Sequence, residues 1–371
     1  MAIAGGNIRL DSTEGMDKIS QTEKVTSPYF SDGSTSLKGS TIRSSSLTDT
    51  NQKYFFGISN SATLTTQEFN VAFGSTNGYG SNNNGGDIKP PTEAIYKKYA
   101  SLLLAPTEVT GGFKISSPGS NSAIASGKDE EIYVMSARRG NMKDRINKGT
   151  WTLLFSGSFS SIIGSNVTAS LSLTDDSANE SPTSTPVGDR YNIVSGAAGT
   201  ISGSGATYKN YGFFYPDAGV LVLSAQELSA SIPGSGSSVD VHSTAVQFGQ
   251  RKHLGFAYST SSVANTKTAL RLINCLNTGG TMTFRDEEDQ VSAQYFCRVR
   301  SGQMNFSNNP TFVSGSLNEL RQKTMRSNPT TFITSVQLYN TDGDMVAVGN
   351  LSTPLKKNFS SEATIKVKLT Y

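Results

Sequence analysis

Hydrophobic and polar residues alternate in many short segments of this chain, most clearly in its last ten residues, EATIKVKLTY. Ile365, Val367 and Leu369 fall on one parity of that segment, and threonine and lysine residues fall on the other. Because successive side chains of a β-strand point to opposite faces, this alternation predicts a half-buried strand. The strand either completes the sheet of its own domain or holds Tyr371 at an interface with a neighbouring protein.

Similar short segments, bounded by Gly, Ser, Asn or Asp, recur through most of the chain after residue 50. Strands at this spacing are typical of antiparallel sandwiches or barrels rather than of a parallel sheet with connecting helices. The sequence LYNTDGDMVAV predicts a hairpin with a tight turn at Asp342 and Gly343. One short helix is predicted near 92–104, where Tyr96, Tyr99 and Leu103 recur at three- and four-residue spacing. We therefore expect a mainly β fold with antiparallel β-sandwich domains.

The pattern divides the chain into three stretches. Residues 1–50 are polar with scattered hydrophobic residues and no sustained period, which predicts an extended N-terminal arm that orders on a partner. A terminus without any role is the alternative. Residues 51–270 predict a β-rich domain with long loops, and residues 271–371 predict a C-terminal antiparallel β domain.

The charge balance and the cysteine count exclude several classes of protein. In these 371 residues, 32 Lys and Arg nearly balance 29 Asp and Glu, and no basic run appears, so nucleic-acid binding is not expected. No apolar stretch approaches the roughly 20 residues of a spanning helix, and the first residues lack a signal-peptide pattern. We therefore expect no membrane insertion, and synthesis and folding in the cytoplasm. Cys275 and Cys297 are too few for a disulfide framework.

The residues that commonly carry catalysis do not form a recognisable site. The two histidines are His242 and His253, and Ser243 beside His242 would point to the opposite side of a strand. No nucleophile-elbow motif is present. The acidic run from Asp286 to Asp289 lies between two predicted strands, so we expect a solvated turn there rather than a pair of catalytic carboxylates. No catalytic residue is predicted.

The predicted hairpin turn partly matches a metal-binding loop. Asn340, Asp342 and Asp344 resemble the start of a calcium loop, but the twelfth position holds Leu351 where an acidic ligand is needed. Neither a metal nor a cofactor is therefore predicted.

Two exposed stretches are candidate contact surfaces. The basic loop ARRGNMKDR could meet an acidic partner, although a solvated loop without a partner fits better; it carries Arg138, Arg139, Lys143 and Arg145. The segment NFSNNPTF offers amides and aromatic anchors for a partner's pocket, or it is an internally packed connection. Its candidate residues are Phe306, Asn308, Asn309 and Phe312, and Tyr371 is a further candidate at the chain end.

Several blocks of this sequence, taken in order, resemble virion structural proteins of T4-like contractile-tailed phages, particularly those of cyanobacteria and other marine bacteria. The blocks are NQKYFFGIS, YKKYASLLLAP, EIYVMSARRGNMKDRINKGTWTL, YNIVSGAAGT, YGFFYPDAGVLVLSA, SAQYFCRVRSGQMNFSNNPTF and the closing TFITSVQLYNTDGDMVAVGNLSTPLKKNFSSEATIKVKLTY. The closing block is the least exclusive, since tail-fibre and baseplate proteins often share a hairpin of this kind.

The resemblance implies a non-enzymatic structural component of a contractile tail, as a baseplate (wedge) protein in the virion, assembled in the host cytoplasm. Its partners would be other tail and baseplate subunits, with a homo-oligomer as an option. The alternative is a tail-fibre attachment protein or a receptor- or carbohydrate-binding module, and a tail-associated glycan hydrolase is the remaining enzymatic reading.

Overall fold

A computed structural model describes most of the chain. The described residues are 17–38, 43–48, 53–60, 67–78, 80–81, 90–108, 112–115, 128–160, 166–202, 209–229, 268–277, 279–305, 310–314 and 319–371.

The fold is mainly β and antiparallel, as predicted. In chain order the strands are β1 (Lys18–Pro28), β2 (Ser36–Lys38), β3 (Arg43–Ser46), β4 (Phe55–Ser59), β5 (Phe69–Ser75), β6 (Glu131–Ala137), β7 (Arg145–Ile146), β8 (Thr152–Ser160), β9 (Asn166–Asp175), β10 (Thr183–Thr185), β11 (Gly188–Ala197), β12 (Thr200–Ile201), β13 (Asn210–Tyr215), β14 (Val220–Ser224), β15 (Thr281–Thr283), β16 (Arg285–Val299), β17 (Val313–Ser314), β18 (Glu319–Leu320), β19 (Thr331–Tyr339), β20 (Met345–Lys357) and β21 (Ala363–Thr370). The α-helices are α1 (Pro91–Leu103), α2 (Ala225–Ser229) and α3 (Thr268–Asn277).

The chain forms two compact units. The larger unit is Val25–Glu288, and the C-terminal unit combines Asp289–Tyr371 with the residues before Val25. The sequence predicts boundaries at residues 50 and 270, where the composition changes. The boundaries between the compact units fall instead within the continuous strands β1 and β16, where no change in composition marks them.

One large antiparallel sheet organises the larger unit. Its strand order is β2-β15-β8-β9-β11-β13-β14-β6-β5-β4-β3, and β10 and β12 pair with β11 at the side. The central strands are buried on both faces. In β14, for example, Leu221 and Leu223 lie in one hydrophobic cluster while Val220 and Val222 lie in another. An unbroken apolar run such as GVLVLS follows from this double burial.

The sheet folds over and encloses its main core in the manner of a sandwich. Phe69 on β5 and Phe284 just after β15 have ring centroids 4.9 Å apart, although six strands separate β5 from β15 in the sheet order. Trp151, directly before β8, stacks on Phe284 at 5.6 Å with an interplanar angle of 13°. Trp151 is fully buried, so it is a core residue.

The predicted helix is confirmed as α1, and it covers the other face of the sheet. Pro91 occupies its first turn, where a missing backbone N–H costs nothing. Tyr96, Ala100 and Leu103 are buried along one side of the helix and pack in the second hydrophobic cluster.

Residues 25–38 differ from the arm that the sequence predicts. Tyr29, Phe30 and Leu37 are buried in the main core, and Leu37 on β2 pairs with Met282 on β15. Isolated hydrophobic residues in a polar stretch show no period, yet each of these three fills a place in the core. Burial of each of these side chains stabilises the folded state by about 1.5–3 kcal/mol.

In the C-terminal unit, β21 pairs antiparallel with β16, so the final strand completes a sheet of its own chain. β1 pairs with the other side of β16. The predicted hairpin is confirmed as β19 and β20, which form a sheet of two strands. Its turn has Gly343 at φ +90°, a left-handed conformation that favours glycine. Within the same turn, Asp344 N donates to Asn340 Oδ1 at 2.7 Å.

Candidate interaction surfaces

Hydrogen bonds to the buried residue Glu68 fix the position of the basic loop that was predicted as a contact surface. The Glu68 carboxylate accepts hydrogen bonds from the backbone and hydroxyl groups of Ser31 and from the Asn141 side chain. Tyr29 adds a second tie, because its hydroxyl donates to the Glu68 carbonyl at 2.7 Å and accepts from Arg138 N at 3.1 Å. The loop is therefore a fixed element of the larger unit.

The acidic run was predicted as a solvated turn, and that prediction is wrong. Asp286 and Glu287 lie within β16, are buried, and pair with β7. Asp286 Oδ2 accepts from Lys143 N at 2.6 Å, and Glu287 accepts from the Asn147 side chain. Burial raises the pKa of Asp286, and the hydrogen bond from Lys143 N opposes that rise. These carboxylates are acceptors for a loop some 140 residues earlier in the chain, a pairing that local sequence does not reveal.

Neighbouring carboxylates compensate part of the positive charge of the basic loop. Lys143 Nζ lies 2.8 Å from Glu288 Oε1. Arg145 Nε lies 3.6 Å from Glu287 Oε1 and 3.8 Å from Asp217 Oδ1. Arg138 and Arg139 are exposed, and Arg139 donates to the carbonyl of Asp144. Contact between this loop and an acidic partner stays a prediction, with Arg138 and Arg139 as its exposed residues.

Half of the segment NFSNNPTF lies outside the described residues. Phe306, Asn308 and Asn309 belong to that part, so their predicted contacts stay predictions. Phe312 is half-buried. Asn305, at the start of the segment, is buried and accepts a hydrogen bond from Lys357 Nζ at 2.9 Å.

Tyr371 has a fixed backbone and an exposed side chain. Its N–H donates to the carbonyl of Val291 at 2.9 Å, and Val291 N donates back to the carbonyl of Tyr371 at 3.1 Å. The side chain is 72% exposed. Tyr371 therefore has a defined position at the surface, and its role as a contact residue stays a prediction.

The hairpin of β19 and β20 has an exposed apolar surface that was not found from the sequence. We call it the hairpin patch, and it consists of Tyr339, Met345, Val346 and Val348. Each of these side chains is more than half exposed, up to 62% for Val346. The signal in the sequence was the run MVAV, which has the composition of a buried strand.

Strand register places the hairpin patch on one face of β19 and β20. Gln337 pairs with Val348, and Tyr339 and Val346 lie two residues further along the same face. Tyr339 pairs with Met345 across a register shift. The opposite face carries Val336, Leu338 and Ala347, and these are half-buried. The two faces of the hairpin therefore differ in how far their apolar side chains are covered.

A buried carboxyl group with a raised pKa lies next to the large sheet, at Asp129. It accepts from Ile115 N at 2.8 Å and from the hydroxyl of Ser224. Burial raises the pKa of Asp129 to about 7, and the charge of Glu227 adds to the rise. Its hydrogen bonds join three segments of the core, so Asp129 acts as a structural acceptor.

The two histidines and Cys275 are of types that commonly carry chemistry, and each is either buried or outside the described residues. His242, His253 and Ser243 lie outside the described residues. Burial raises the pKa of the Cys275 thiol to about 12, which removes its reactivity near neutral pH. Within the described parts of the chain, no cluster of His, Cys, Asp and Glu side chains is arranged to hold a metal ion. No helix among the described segments has the length and apolar sequence needed to cross a membrane.

Comparisons of the chain with protein-family models, with curated proteins and with solved structures found no match.

Proposed function

We propose that this protein is a non-enzymatic structural subunit of a phage contractile tail, in or attached to the baseplate, and that it works by assembling with neighbouring proteins. The main support for an assembly function is the hairpin patch. Its apolar side chains are exposed on one face of a two-stranded sheet, and covering them with a neighbouring protein is favourable because it removes apolar surface from water. The tail location rests on the resemblance of the sequence blocks.

A further structural feature supports an assembly function. A sheet of only two strands is marginal in water, and each of its strands offers one backbone edge that no described strand pairs. Residues Thr331–Tyr339 carry neither a charge nor a proline, the devices that usually block edge-to-edge association. A subunit of a large particle gains from such a surface, since assembly buries it.

Chemical cross-linking of purified particles of the phage, followed by mass spectrometry, tests this function. Lys18, Lys24 and Lys356 are exposed amines in the C-terminal unit. We expect links from them to other tail or baseplate proteins. Links to fibre proteins alone would favour the fibre-attachment or receptor-binding alternative. Absence of the protein from purified particles would overturn the proposal.

A control separates specific assembly from adventitious adsorption. Particles assembled in host cells with the Val348→Lys variant should lose the protein, whereas Leu102→Lys should leave its incorporation unchanged. Leu102 is a comparably exposed apolar residue, on α1 of the larger unit. Equal loss with both variants would mean that a general change in surface charge, and not the hairpin, governs incorporation.

A further inference from the structure

The hairpin patch has the size expected for one side of a specific interface. A fully exposed aromatic side chain has about 150–250 Å² of accessible surface, and smaller apolar side chains have somewhat less. The four side chains of the hairpin patch are more than half exposed, so together they present on the order of 400 Å² of apolar surface. A standard interface buries about 800 Å² per partner, of which about 60% is apolar. The hairpin patch and the polar residues beside it together approach that area.

The chemistry of this face suits a second copy of itself. Between Thr331 and Tyr339, and between Met345 and Leu355, the hairpin has no charged residue. Two identical faces therefore meet without like-charge repulsion, which would oppose self-association of a charged surface. The nearest acids, Asp342 and Asp344, are confined to the turn.

The polar residues on the same face can serve a two-fold interface. Ser335 and Asn350 form a directly opposed pair, and Gln337 is opposite Val348. Asn and Gln side chains each provide both donors and acceptors, so an amide on one copy can bond with the equivalent amide of the other. In a two-fold interface a contact between two different residues occurs twice, whereas a contact between equivalent residues lies on the axis and occurs once.

We propose that the face of the β19–β20 hairpin carrying Tyr339, Val346 and Val348 packs against the same face of a second copy of this chain, forming a two-fold dimer. Sheets that pack face to face lie about 10 Å apart, with apolar side chains interdigitated between them. The inference rests on the proposed assembly function and names one partner for the surface that carries it.

The mass of the purified full-length chain in solution tests the proposal. We expect light scattering or sedimentation to give twice the 39.4 kDa of one chain. Val348→Lys places a charge in the centre of the interface and should weaken the dimer at least about tenfold. Leu102→Lys, the matched substitution outside the hairpin, should leave the dimer intact.

A second variant keeps the test valid if Val348→Lys disturbs folding. Val348→Thr preserves shape and β-propensity but replaces one methyl group with a hydroxyl, so it should weaken the dimer in the same direction but less than lysine does. Circular dichroism checks that each variant is folded. A natural chain of single mass at every concentration, or a dimer that neither substitution at Val348 weakens, would overturn the proposal.

The outcomes for the dimer and for the tail function are distinguishable. A monomeric chain that is still present in particles would overturn the second-copy interface and leave the structural function standing. A dimer sensitive to Val348→Lys in a protein that is absent from particles would support the interface and overturn the tail function.

Discussion

Lys357 Nζ donates a hydrogen bond to Asn305 Oδ1 at 2.9 Å, and both residues are buried. The same ammonium group donates to the carbonyls of Ser301 and Asn358 at 3.0 and 2.9 Å. Lys357 is the last residue of β20, so this cluster fixes the base of the hairpin to the turn that follows β16. Thr331, the first residue of β19, adds a bond from its hydroxyl to the carbonyl of Met304.

Lys357→Met should therefore loosen the base of the hairpin. The substitution preserves most of the side-chain volume but leaves the Asn305 oxygen without this donor, which costs about 1–3 kcal/mol. Urea unfolding of the full chain measures the loss. Lys356→Met is the matched control, because Lys356 is exposed and should change stability by less than about 0.5 kcal/mol. Equal effects of the two substitutions would contradict the assigned role of Lys357.

The stability of the larger unit should depend on the ionisation of Asp129. Its pKa is about 7 in the folded protein and close to 4 in the unfolded chain. Between these values the folded state binds more protons than the unfolded state, so the free energy of unfolding falls as pH rises from about 4 to 7 and then levels off. The stabilising contribution is thus complete below pH 4.

Asp129→Asn removes this dependence and retains an oxygen for the N–H of Ile115. The natural protein loses stability as pH rises from about 4 to 8, whereas the variant does not. We therefore expect the free energy of unfolding of the variant, minus that of the natural protein, to rise by on the order of 2–4 kcal/mol over this range. Urea titrations across that range measure the difference. Asp342→Asn, in the exposed hairpin turn, is the control and should show no such trend. A difference between Asp129→Asn and the natural protein that stays constant with pH would refute the raised pKa.

Local patterns predicted the elements whose stability is local in origin. Strand β21 and the β19–β20 turn followed from alternation and from Asp342–Gly343, and α1 followed from the spacing of Tyr96 and Leu103. Helix α3 was missed, although Leu272, Ile273 and Leu276 are buried at helical spacing, because the segment is short and follows a long stretch rich in small residues.

The features that depend on distant residues were beyond the reach of such patterns. Tyr29 is buried because strands much later in the chain complete its site, and the buried Asp286 has its partner at Lys143. The hairpin patch is a related case: alternation indicates that β20 is a strand, but the sequence does not state which face the protein itself covers.

The contact between Phe284 and Trp151 should dominate the stability of the main core. Phe284→Ala removes a stacked ring from a fully buried site and should cost about 3–5 kcal/mol. Trp151 is the one tryptophan of the chain, so its fluorescence should shift toward the red as water reaches the indole. Leu102→Ala, at an exposed position of the same unit, should leave both stability and emission nearly unchanged. An unshifted emission in Phe284→Ala would show that the indole does not depend on this ring.

The order of the basic loop should depend on the buried carboxylate of Glu68. Glu68→Ala leaves the N–H of Ser31 and the amide of Asn141 without their acceptor, at a cost of about 1–3 kcal/mol for each buried group that stays unsatisfied. The loop contains Arg138 and Arg139, so trypsin reports directly on its mobility: a fixed loop resists cleavage, and a freed loop is cut.

We therefore expect trypsin to cleave Glu68→Ala after Arg138 or Arg139 at least several times faster than it cleaves the natural protein. Glu180→Ala is the control, since Glu180 is exposed and lies away from this network in sequence. Glu68→Gln should fall between the two, because its amide oxygen still accepts one bond while its NH₂ group faces donors. Cleavage of Glu68→Ala at the natural rate would show that Tyr29 and Asp286 hold the loop without help from Glu68.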